Sequence, residues 1–460
     1  MSTSPVPVNE PSEFSQKFDR ALSVLRRKAV TNLLRAWRGL EDSARSALNA
    51  DIRPDVPKED TERLRRQMRE CLEAKGGEVS ARARTVELGQ TYLALSAKGK
   101  QRFLTILAES FDVDRKAVDA AVEKLQSAKP AQRAAAEAAL RAALQASRVQ
   151  ILRQFNSLPN GFKFLVDLRA DLLQAVEVEP SLAGLESDLK QLLASWFDVG
   201  LLDLEEISWN SPAALLEKLI DYEAVHAISS WSDLKNRLDS DRRCFAFFHG
   251  KMPGEPLIFV EVALVKGMAD NVQRLLDETE APLPEGQADT AIFYSISNAQ
   301  GGLAGISFGN FLIKRVVQRL SSQLPNLKAF ATLSPVPGFR AWLDTKDAVL
   351  NKTLDVPWHE DKGKAERLKP TLMRLITQYL VQEKRKTRAL DPVAHFHLSN
   401  GAVLERVNWL GDTSKKGLRQ SAGIMVNYHY KLSEIDDNHE RYAGSGTVTV
   451  GKSVKALLKD

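Results

Sequence analysis

The sequence predicts an α + α/β protein, in which an N-terminal all-helical bundle is followed by an α/β domain. Apolar residues recur at helical spacing in the first part of the chain, and β-rich runs alternate with helical segments in the second. The length of 460 residues also exceeds that of one ordinary domain. We expect a disordered N-terminus at residues 1–12, a helical domain at 13–190 and the α/β domain at 191–460.

The helical domain is predicted from apolar stripes. Phe14, Phe18 and Leu22 begin a stripe with helical spacing that continues to Trp37. Residues 131–155 are rich in alanine, which has high helix propensity and lets neighbouring helices pack closely. Because such stripes form cores and subunit contacts, we interpret this part of the chain as a helical interaction module.

The second part of the chain alternates between predicted strands and helices. The strand predictions rest on runs of β-branched and aromatic residues that end at glycine, proline or polar turns. The predicted strands cover residues 244–250, 256–265, 290–297, 326–334, 401–409 and 422–432. The predicted helices cover residues 210–222, 269–278, 308–323 and 366–384.

The composition argues against several classes of protein. Hydrophobic residues make up 43% and charged residues 27%, as in globular proteins, and no apolar run of about 18 residues predicts a membrane span. The net charge of +5 is small for this length, so we expect no nucleic-acid partner. Cys71 and Cys244 belong to no paired motif, which disfavours a disulfide framework. The polar start of the chain does not resemble a signal peptide, so we expect a cytoplasmic protein.

A glycine-rich segment, QGGLAGISFGNFLIKR, spans residues 300–315 between a predicted strand and a predicted helix. Backbone N–H groups at such a turn, together with the helix dipole, attract anions. Gly305 and Gly309 would let phosphate oxygens approach the backbone, and Lys314 and Arg315 would add charge. The segment lacks the dinucleotide-binding and Walker patterns, which disfavours NAD and ATP. Two interpretations stay open: a turn without a ligand, or an arm similar to the one that binds coenzyme A in GNAT acetyltransferases.

Histidines are the candidates for acid–base chemistry or metal binding. None of the seven lies in an H-E-x-x-H motif, and no G-x-S-x-G motif predicts a hydrolase triad. His395 and His397 would share one face of an extended segment, and with His429 they would supply three nitrogens for zinc. We favour the alternative that these histidines lie at the surface or have buried partners, because nothing in the sequence would orient them as ligands.

A serine stands at the end of a predicted strand in ATLSPVPGF, residues 331–339. Ser334 precedes Pro335, which favours extended backbone, and both Pro335 and Pro337 lack the N–H donor that a central strand needs. We therefore predict that the strand ends at Ser334 and diverges from its neighbour, so that the hydroxyl faces a gap. The alternative is that Ser334 only caps the strand.

Three motifs together resemble the malonyl-CoA decarboxylase family: QGGLAGISFGNFLIKRV, LSPVPGF and DPVAHFHLSNGA. The resemblance covers most of residues 200–432, and the preceding helices agree with the oligomerisation domain of that family. It implies a GNAT-like catalytic domain with a splayed mixed sheet that converts malonyl-CoA to acetyl-CoA and carbon dioxide. No metal or other cofactor is needed, because the thioester of the substrate accepts the electrons. A homo-oligomer, a dimer or a tetramer, is expected to assemble through the helical domain.

The same resemblance implies the site residues. Coenzyme A and substrate contacts are expected from Ala304, Gly305, Ile306, Ser307, Phe308, Gly309, Asn310 and Ile313. Ser334 and His397 are expected to be the catalytic pair, with Tyr430 beside them. The usual pKa of histidine suits proton donation near neutral pH, and Ser334 is the expected proton acceptor.

Two other functions explain part of the sequence. A GNAT-type N-acyltransferase would account for the predicted fold and the glycine-rich segment, but not for the serine and histidine motifs together. A non-catalytic acyl-CoA-binding scaffold would use the helical part as its working surface. Incubation with malonyl-CoA in the absence of an amine separates these functions from a decarboxylase.

Overall fold

The computed structural model describes residues 52–73, 77–306 and 311–459. The chain divides into two compact units, of which the first comprises Met1–Gly161 with Asp171–Leu189 and the second comprises Phe162–Ala170 with Lys190–Asp460. The expected disordered N-terminus and the apolar stripe that begins at Phe14 lie outside the described residues. Within the described ranges, no helix combines the length and the apolar character needed to cross a bilayer.

The described N-terminal region is helical, as the sequence predicts. Its helices are α1 Lys58–Leu72, α2 Gly77–Ala94, α3 Ala97–Ser110, α4 Arg115–Gln126, α5 Arg133–Ala143, α6 Arg148–Phe155, α7 Gly161–Val178 and α8 Ala183–Trp196. The alanine-rich segment at residues 131–155, for which high helix propensity was noted, forms the two helices α5 and α6.

Polar side chains fix where some of these helices begin. At the start of α3, the Ser96 hydroxyl accepts the N–H of Gly99 at 3.2 Å. At the start of α4, the Asp114 carboxylate accepts the N–H groups of Lys116 and Ala117. A cap of this kind stabilises a helix by about 1 kcal/mol, because it satisfies donors that have no partner inside the helix.

Apolar side chains from several helices form the core of the first unit. Leu64 of α1, Phe103 and Leu107 of α3, and Ile151 and Phe155 of α6 are all 0% exposed. Burial of one such side chain contributes roughly 1.5–3 kcal/mol. The stability of this unit therefore rests on packing between helices rather than on helix propensity alone.

The second unit contains a mixed sheet and the helices that cover it. Its strands are β1 Leu202–Ile207, β2 Arg242–His249, β3 Ile258–Val265, β4 Thr290–Asn298, β5 Ala329–Thr332, β6 Ser334–Pro335, β7 Lys384–Arg385, β8 Arg388–Ala389, β9 Val403–Asn408 and β10 Met425–His429. Its helices are α9 Ala213–Tyr222, α10 Trp231–Arg237, α11 Val272–Leu275, α12 Phe311–Gln323, α13 Phe339–Lys346, α14 Ala348–Thr353, α15 Lys362–Val381, α16 Pro392–Ser399, α17 Lys415–Ser421, α18 Ile435–Ser445 and α19 Lys452–Leu457.

The main sheet has eight strands in the order β1-β2-β3-β4-β5-β10-β6, and β9 also pairs with β10. The pair β4–β5 is parallel, and the other pairs in this sheet are antiparallel. A parallel pair requires a crossover connection, which here contains the glycine-rich segment and helix α12. The sheet is therefore mixed, as expected.

Strands β4 and β5 are paired along only part of β4. Their register runs from Thr290↔Ala329 to Phe293↔Thr332, whereas β4 continues to Asn298. Strand β5 ends opposite Phe293, so this register does not test the predicted divergence, which stays a prediction.

The prediction that the strand ends at Ser334 is wrong. Ser334 and Pro335 form the short strand β6, which pairs with Val426 and Met425 of β10. Proline is tolerated there because β6 is the last strand in the sheet order, where one side of the strand needs no hydrogen-bond donor.

A buried ion pair lies on the face of the sheet that helix α10 covers. Arg237 is 1% exposed, and its guanidinium lies 3.0 Å from Glu261 Oε2 and 2.7 Å from Asp233 Oδ1. Burial raises the pKa of the Glu261 carboxyl, and the charge of Arg237 opposes that effect. Because ions are costly to bury alone, the two carboxyl groups depend on Arg237.

Each of the six predicted strand regions contains a strand. Strand β1 was not predicted, because its sequence, LDLEEI, carries three acidic residues and lacks the β-branched run used to recognise the others. Each of the four predicted helical regions also contains a helix, although only Val272–Leu275 is helical within residues 269–278.

Candidate active site

Ser334 reaches the site from strand β6. Its side chain is buried, and its hydroxyl donates a hydrogen bond to Thr332 Oγ1 at 2.8 Å. Thr332 is the last residue of β5 and precedes Ser334 by two positions, so the two side chains lie on the same side of an extended backbone. The serine hydroxyl is therefore held in place by the last residue of the preceding strand.

His397 reaches the site from helix α16, so the extended segment on which the zinc alternative depends is not present. Asp391 Oδ1 caps the helix by accepting the N–H groups of Val393 and Ala394 at 3.0 and 2.9 Å. Pro392 occupies the first helical position, where no N–H donor is needed. The Asp-Pro pair was the sequence signal for this helix, and the interpretation of the histidines as an extended pair overlooked it.

The structure brings Ser334, His397 and Tyr430 together. His397 Nε2 lies 3.1 Å from Ser334 Oγ, and His397 Nδ1 lies 2.7 Å from the Tyr430 hydroxyl. Tyr430 follows strand β10 and is fixed by its backbone N–H, which donates to the carbonyl of Phe330 at 2.8 Å. At most 6% of any of the three residues is exposed. Their roles in catalysis stay a prediction.

Burial controls the protonation of these groups. It lowers the pKa of His397 to about 3 and raises the pKa of Tyr430 above its usual range. His397 is therefore neutral near pH 7, in contrast to the expectation of a pKa near neutrality. The difference arises because, among the described residues, the ring nitrogens contact the neutral hydroxyl groups of Ser334 and Tyr430, which do not offset the cost of burying a charged imidazole.

A second tyrosine lies against His397. The ring of Tyr428 stacks on the imidazole with 4.6 Å between centroids and an angle of 24° between planes. Its backbone N–H donates to Thr332 Oγ1 at 3.1 Å. Neither Tyr428 nor Thr332 was predicted from the sequence, although each precedes a predicted site residue by two positions in a strand region. That period-two spacing is the signal that would have identified them.

The three histidines of the zinc alternative contact different partners. His395 Nδ1 lies 2.9 Å from the Tyr442 hydroxyl, and His429 Nδ1 lies 3.5 Å from Glu405 Oε2, whereas His397 faces Ser334. Residues two positions apart in a helix point about 200° apart, which separates His395 from His397. No group of three metal-binding side chains occurs within the described ranges, so the zinc alternative finds no support.

The glycine-rich segment follows β4, and part of it is described. Of the eight predicted contact residues, Ala304, Gly305, Ile306 and Ile313 lie in the described part. Ser307, Phe308, Gly309 and Asn310 lie outside it. Gly305 has φ of +70°, a conformation that favours glycine. Ile306 and Ile313 are 8% and 1% exposed, so both side chains are packed inside the protein.

Two contacts fix the backbone of this segment. A methyl group on Gly302 would lie 1.7 Å from the carbonyl oxygen of Val166, so helix α7 approaches too closely for any side chain there. Arg169 Nη1 donates to the carbonyl oxygens of Gly302 and Ala304, at 2.5 and 2.9 Å. These contacts hold the backbone at Gly302 and Ala304 in place.

The cations around the segment differ from those expected. Lys314 pairs with Asp436 at 2.6 Å, and Arg315 donates to the carbonyl of Leu202 at 2.7 Å. By contrast, Lys190 is close to the segment: its Nζ lies 3.4 Å from the position that a methyl group on Gly305 would occupy. Lys190 was not predicted from the sequence, because nothing in helix α8 indicates contact with a segment more than a hundred residues away.

A buried serine, histidine and tyrosine in contact beside a mixed sheet are the kind of side-chain arrangement found in enzymes. Comparison with known proteins identifies a specific family. The family model described as "Malonyl-CoA decarboxylase C-terminal domain" matches residues 200–460, and the "Malonyl-CoA decarboxylase N-terminal domain" matches residues 111–197. The chain belongs to the malonyl-CoA decarboxylase family, which confirms the resemblance seen in the sequence.

Individual relatives agree with the family models. The mitochondrial malonyl-CoA decarboxylase of Mus musculus is 38% identical over 404 residues, which cover 79% of this chain and 82% of that protein. The crystal structure of malonyl-CoA decarboxylase from Rhodopseudomonas palustris has 42% identity and a TM-score of 0.82, and the match covers 87% of this chain and 99% of that one. The enzyme from Agrobacterium vitis has 42% identity and a TM-score of 0.80, with 86% and 99% covered.

Proposed function

We propose that this protein decarboxylates malonyl-CoA to acetyl-CoA and carbon dioxide at the site formed by Ser334 and His397. The observation that carries this proposal is the 3.1 Å contact between Ser334 Oγ and His397 Nε2, which joins two distant segments in a member of this family. Both segments carry motifs by which the sequence resembles the family. The contact therefore joins the two family motifs in a serine–histidine pair that can take part in proton transfer.

The reaction needs few groups from the protein. The bond between the carboxylate carbon and C2 breaks, and its electron pair moves into the thioester carbonyl, which becomes an enolate. C2 then takes up one proton. Because the thioester itself accepts the electrons, we propose that no metal or organic cofactor takes part. The protein has to stabilise the enolate oxygen, keep water from the departing carboxylate and supply the proton.

The buried side chains suit these tasks. Donors that are already aimed at a developing oxyanion contribute roughly a hundredfold to a thousandfold in rate each. We assign proton delivery to His397 Nε2, with Ser334 as the group that accepts a hydrogen bond from it. A proton moves from the Tyr430 hydroxyl to Nδ1 as Nε2 gives up its own, which keeps the imidazole neutral, and solvent restores the tyrosine after product release. The low exposure of the three residues would leave the substrate carboxylate poorly hydrated.

We assign the coenzyme A portion of the substrate to the segment from Ala304 to Asn310, with Ile313 nearby. The support for this assignment is the left-handed backbone of Gly305 and the bonds from Arg169 that hold the segment. The GNAT-like description of the second unit is part of the same proposal. It is supported by the parallel β4–β5 pair, which ends at Phe293 while β4 continues to Asn298, and by the position of the glycine-rich segment directly after β4.

Further expectations of the sequence analysis belong to this proposal. We propose a homo-oligomer, a dimer or a tetramer, that assembles through the N-terminal helices. Alanine-rich helices such as α5 support this assignment, because small side chains let helices of neighbouring copies pack closely. We also propose that the enzyme acts in the cytoplasm, without nucleic-acid or membrane partners.

A direct assay tests the proposed reaction. The purified protein is incubated with malonyl-CoA alone, and acetyl-CoA and carbon dioxide are measured. We expect stoichiometric formation of both products in the absence of any amine. An N-acyltransferase would form them only as a minor side reaction and would need an amine acceptor to turn over. A binding scaffold would retain malonyl-CoA unchanged, and either result would contradict the proposal.

Lys190→Ala is expected to raise the KM for malonyl-CoA about tenfold while kcat changes little, because a hydrogen bond to a charged group contributes about 1.5–3 kcal/mol in ground state and transition state alike. Among the described residues Lys190 has no ion-pair partner, so its charge is available to a phosphate beside Gly305. Steady-state kinetics measure the change. Lys352→Ala, at an exposed position of α14, is the control and should leave KM unaltered. An unchanged KM in Lys190→Ala would remove Lys190 from the proposed site.

A further inference from the structure

Thr332 occupies a central position in the hydrogen bonds around Ser334. It is 0% exposed, and its Oγ1 receives two hydrogen bonds, from the Ser334 hydroxyl at 2.8 Å and from the backbone N–H of Tyr428 at 3.1 Å. Its carbonyl oxygen accepts a third, from Asn427 Nδ2 at 2.7 Å. The side chain therefore joins β5 to β10 directly beside the site.

These contacts determine where the hydrogen of the Ser334 hydroxyl points. A backbone N–H can only donate, so Thr332 Oγ1 is an acceptor toward Tyr428. The hydroxyl of Ser334 has one hydrogen, and the geometry directs it to Thr332 Oγ1. Ser334 Oγ therefore offers a lone pair, not a hydrogen, to His397 Nε2 at 3.1 Å.

We propose that Thr332 is a positioning residue, which holds the Ser334 hydrogen away from His397 so that His397 carries its own proton on Nε2 and accepts the Tyr430 hydrogen at Nδ1. The four groups then form one directed series: Tyr430 donates to His397, His397 to Ser334, and Ser334 to Thr332. This inference extends the proposed function, because it specifies which imidazole nitrogen holds the proton before the reaction.

The state of His397 agrees with this arrangement. Burial lowers its pKa to about 3, so the imidazole is neutral and has a single N–H. With that hydrogen on Nε2, Nδ1 is an acceptor, and the 2.7 Å contact to the Tyr430 hydroxyl is a normal hydrogen bond. Without the Thr332 hydroxyl, the Ser334 hydrogen is free to turn toward Nε2, which favours the opposite tautomer.

The tautomer is measured directly by NMR. Protein labelled with 15N-histidine gives distinct chemical shifts for protonated and unprotonated ring nitrogens, and subtraction of the His397→Asn spectrum assigns His397 among the seven histidines. We expect a protonated Nε2 and an unprotonated Nδ1 in the wild-type enzyme without substrate. A protonated Nδ1 in that spectrum would overturn the proposal.

Variants of Thr332 test its part in this arrangement. Thr332→Val keeps the shape but removes the hydroxyl, so kcat should fall about tenfold or more with KM nearly constant, because a wrong tautomer impairs proton transfer rather than binding. Its NMR spectrum should show partial or complete loss of the Nε2 proton. Thr332→Ser retains the hydroxyl and should restore the wild-type tautomer and kcat to within about threefold. An unaltered kcat in Thr332→Val would contradict the role of Thr332.

A matched control separates this role from general destabilisation. Thr377 of α15 is also 0% exposed and donates to the carbonyl of Met373 at 2.7 Å. Thr377→Val should lose comparable thermal stability but retain wild-type kcat. If Thr332→Val fails to fold, the wild-type spectrum and Thr332→Ser still decide the question. A wild-type protein that does not decarboxylate malonyl-CoA would contradict the proposed function, whereas the tautomer measurement needs no substrate.

Discussion

His397→Asn is expected to lower kcat for malonyl-CoA by a hundredfold or more, with little change in KM. General acid catalysis by a positioned side chain contributes about 10²–10⁴ in rate, and the asparagine amide cannot deliver a proton from the position of Nε2. Substrate binding should persist because the expected coenzyme A contacts lie in another segment. Acetyl-CoA formation under steady-state conditions measures both constants.

Ser334→Ala is also expected to lower kcat with little change in KM, because it removes the hydroxyl that lies 3.1 Å from His397 Nε2. Two control variants make the same chemical changes elsewhere. His395→Asn alters a neighbouring histidine that contacts Tyr442, and Ser421→Ala alters a serine of α17 that is 1% exposed. Both should keep kcat within about threefold of wild type. Wild-type turnover in His397→Asn or Ser334→Ala would refute the assignment of the site.

Arg237→Met is expected to lower the free energy of unfolding by about 3–5 kcal/mol, because it leaves Glu261 and Asp233 with uncompensated buried carboxyl groups. The loss should depend on pH. Burial raises the pKa of Glu261 in the folded state above its unfolded value, and removing Arg237 raises it further. The folded variant is therefore least affected below the unfolded pKa, and its stability falls as pH rises through the folded pKa. Thermal and denaturant unfolding at about pH 5 and about pH 8.5 measure the effect.

Two further variants identify the cause of this destabilisation. Arg274→Met removes an exposed arginine paired with Asp270 and should cost less than about 1 kcal/mol. The double variant Arg237→Met/Glu261→Gln should recover part of the lost stability, since one buried charge has been removed with its partner. A single variant as stable as wild type, or a double variant less stable than the single one, would argue against an essential ion pair.

The sequence was sufficient to predict much of the second unit, because its strands differ sharply in composition from their flanking turns. The regions around β2, β3 and β4 are rich in β-branched and aromatic residues and end at polar or glycine-containing turns, and this contrast identifies them. β1 was missed because acidic residues occupy its exposed positions. The pairing of β6 with β10 was missed because the donor requirement of a strand depends on its place in the sheet order, which local sequence does not specify.

Residues of the candidate site could be predicted from the sequence where they lie in motifs. They could not be predicted where only the fold brings them to the site. Ser334, His397 and Tyr430 lie in recognisable sequence contexts, and the structure brings them within hydrogen-bond distance. Thr332 and Tyr428 lie in the same strand regions, but only the fold brings them into contact with Ser334 and His397. Lys190 lies in helix α8, whose sequence does not indicate that this lysine is close to the glycine-rich segment. The protonation of His397 was misjudged, since the degree of burial follows from packing and not from the motif itself.

Asp391 is wholly buried, and its carboxylate serves two stretches of chain. One oxygen caps the helix of His397, and the other accepts the N–H of Gly338, a few residues beyond Ser334, at 3.3 Å. The N-terminus of the helix that carries His397 and the loop after Ser334 are thus held by the same carboxyl group. Loss of this carboxyl group would therefore disturb the positions of both His397 and the loop after Ser334.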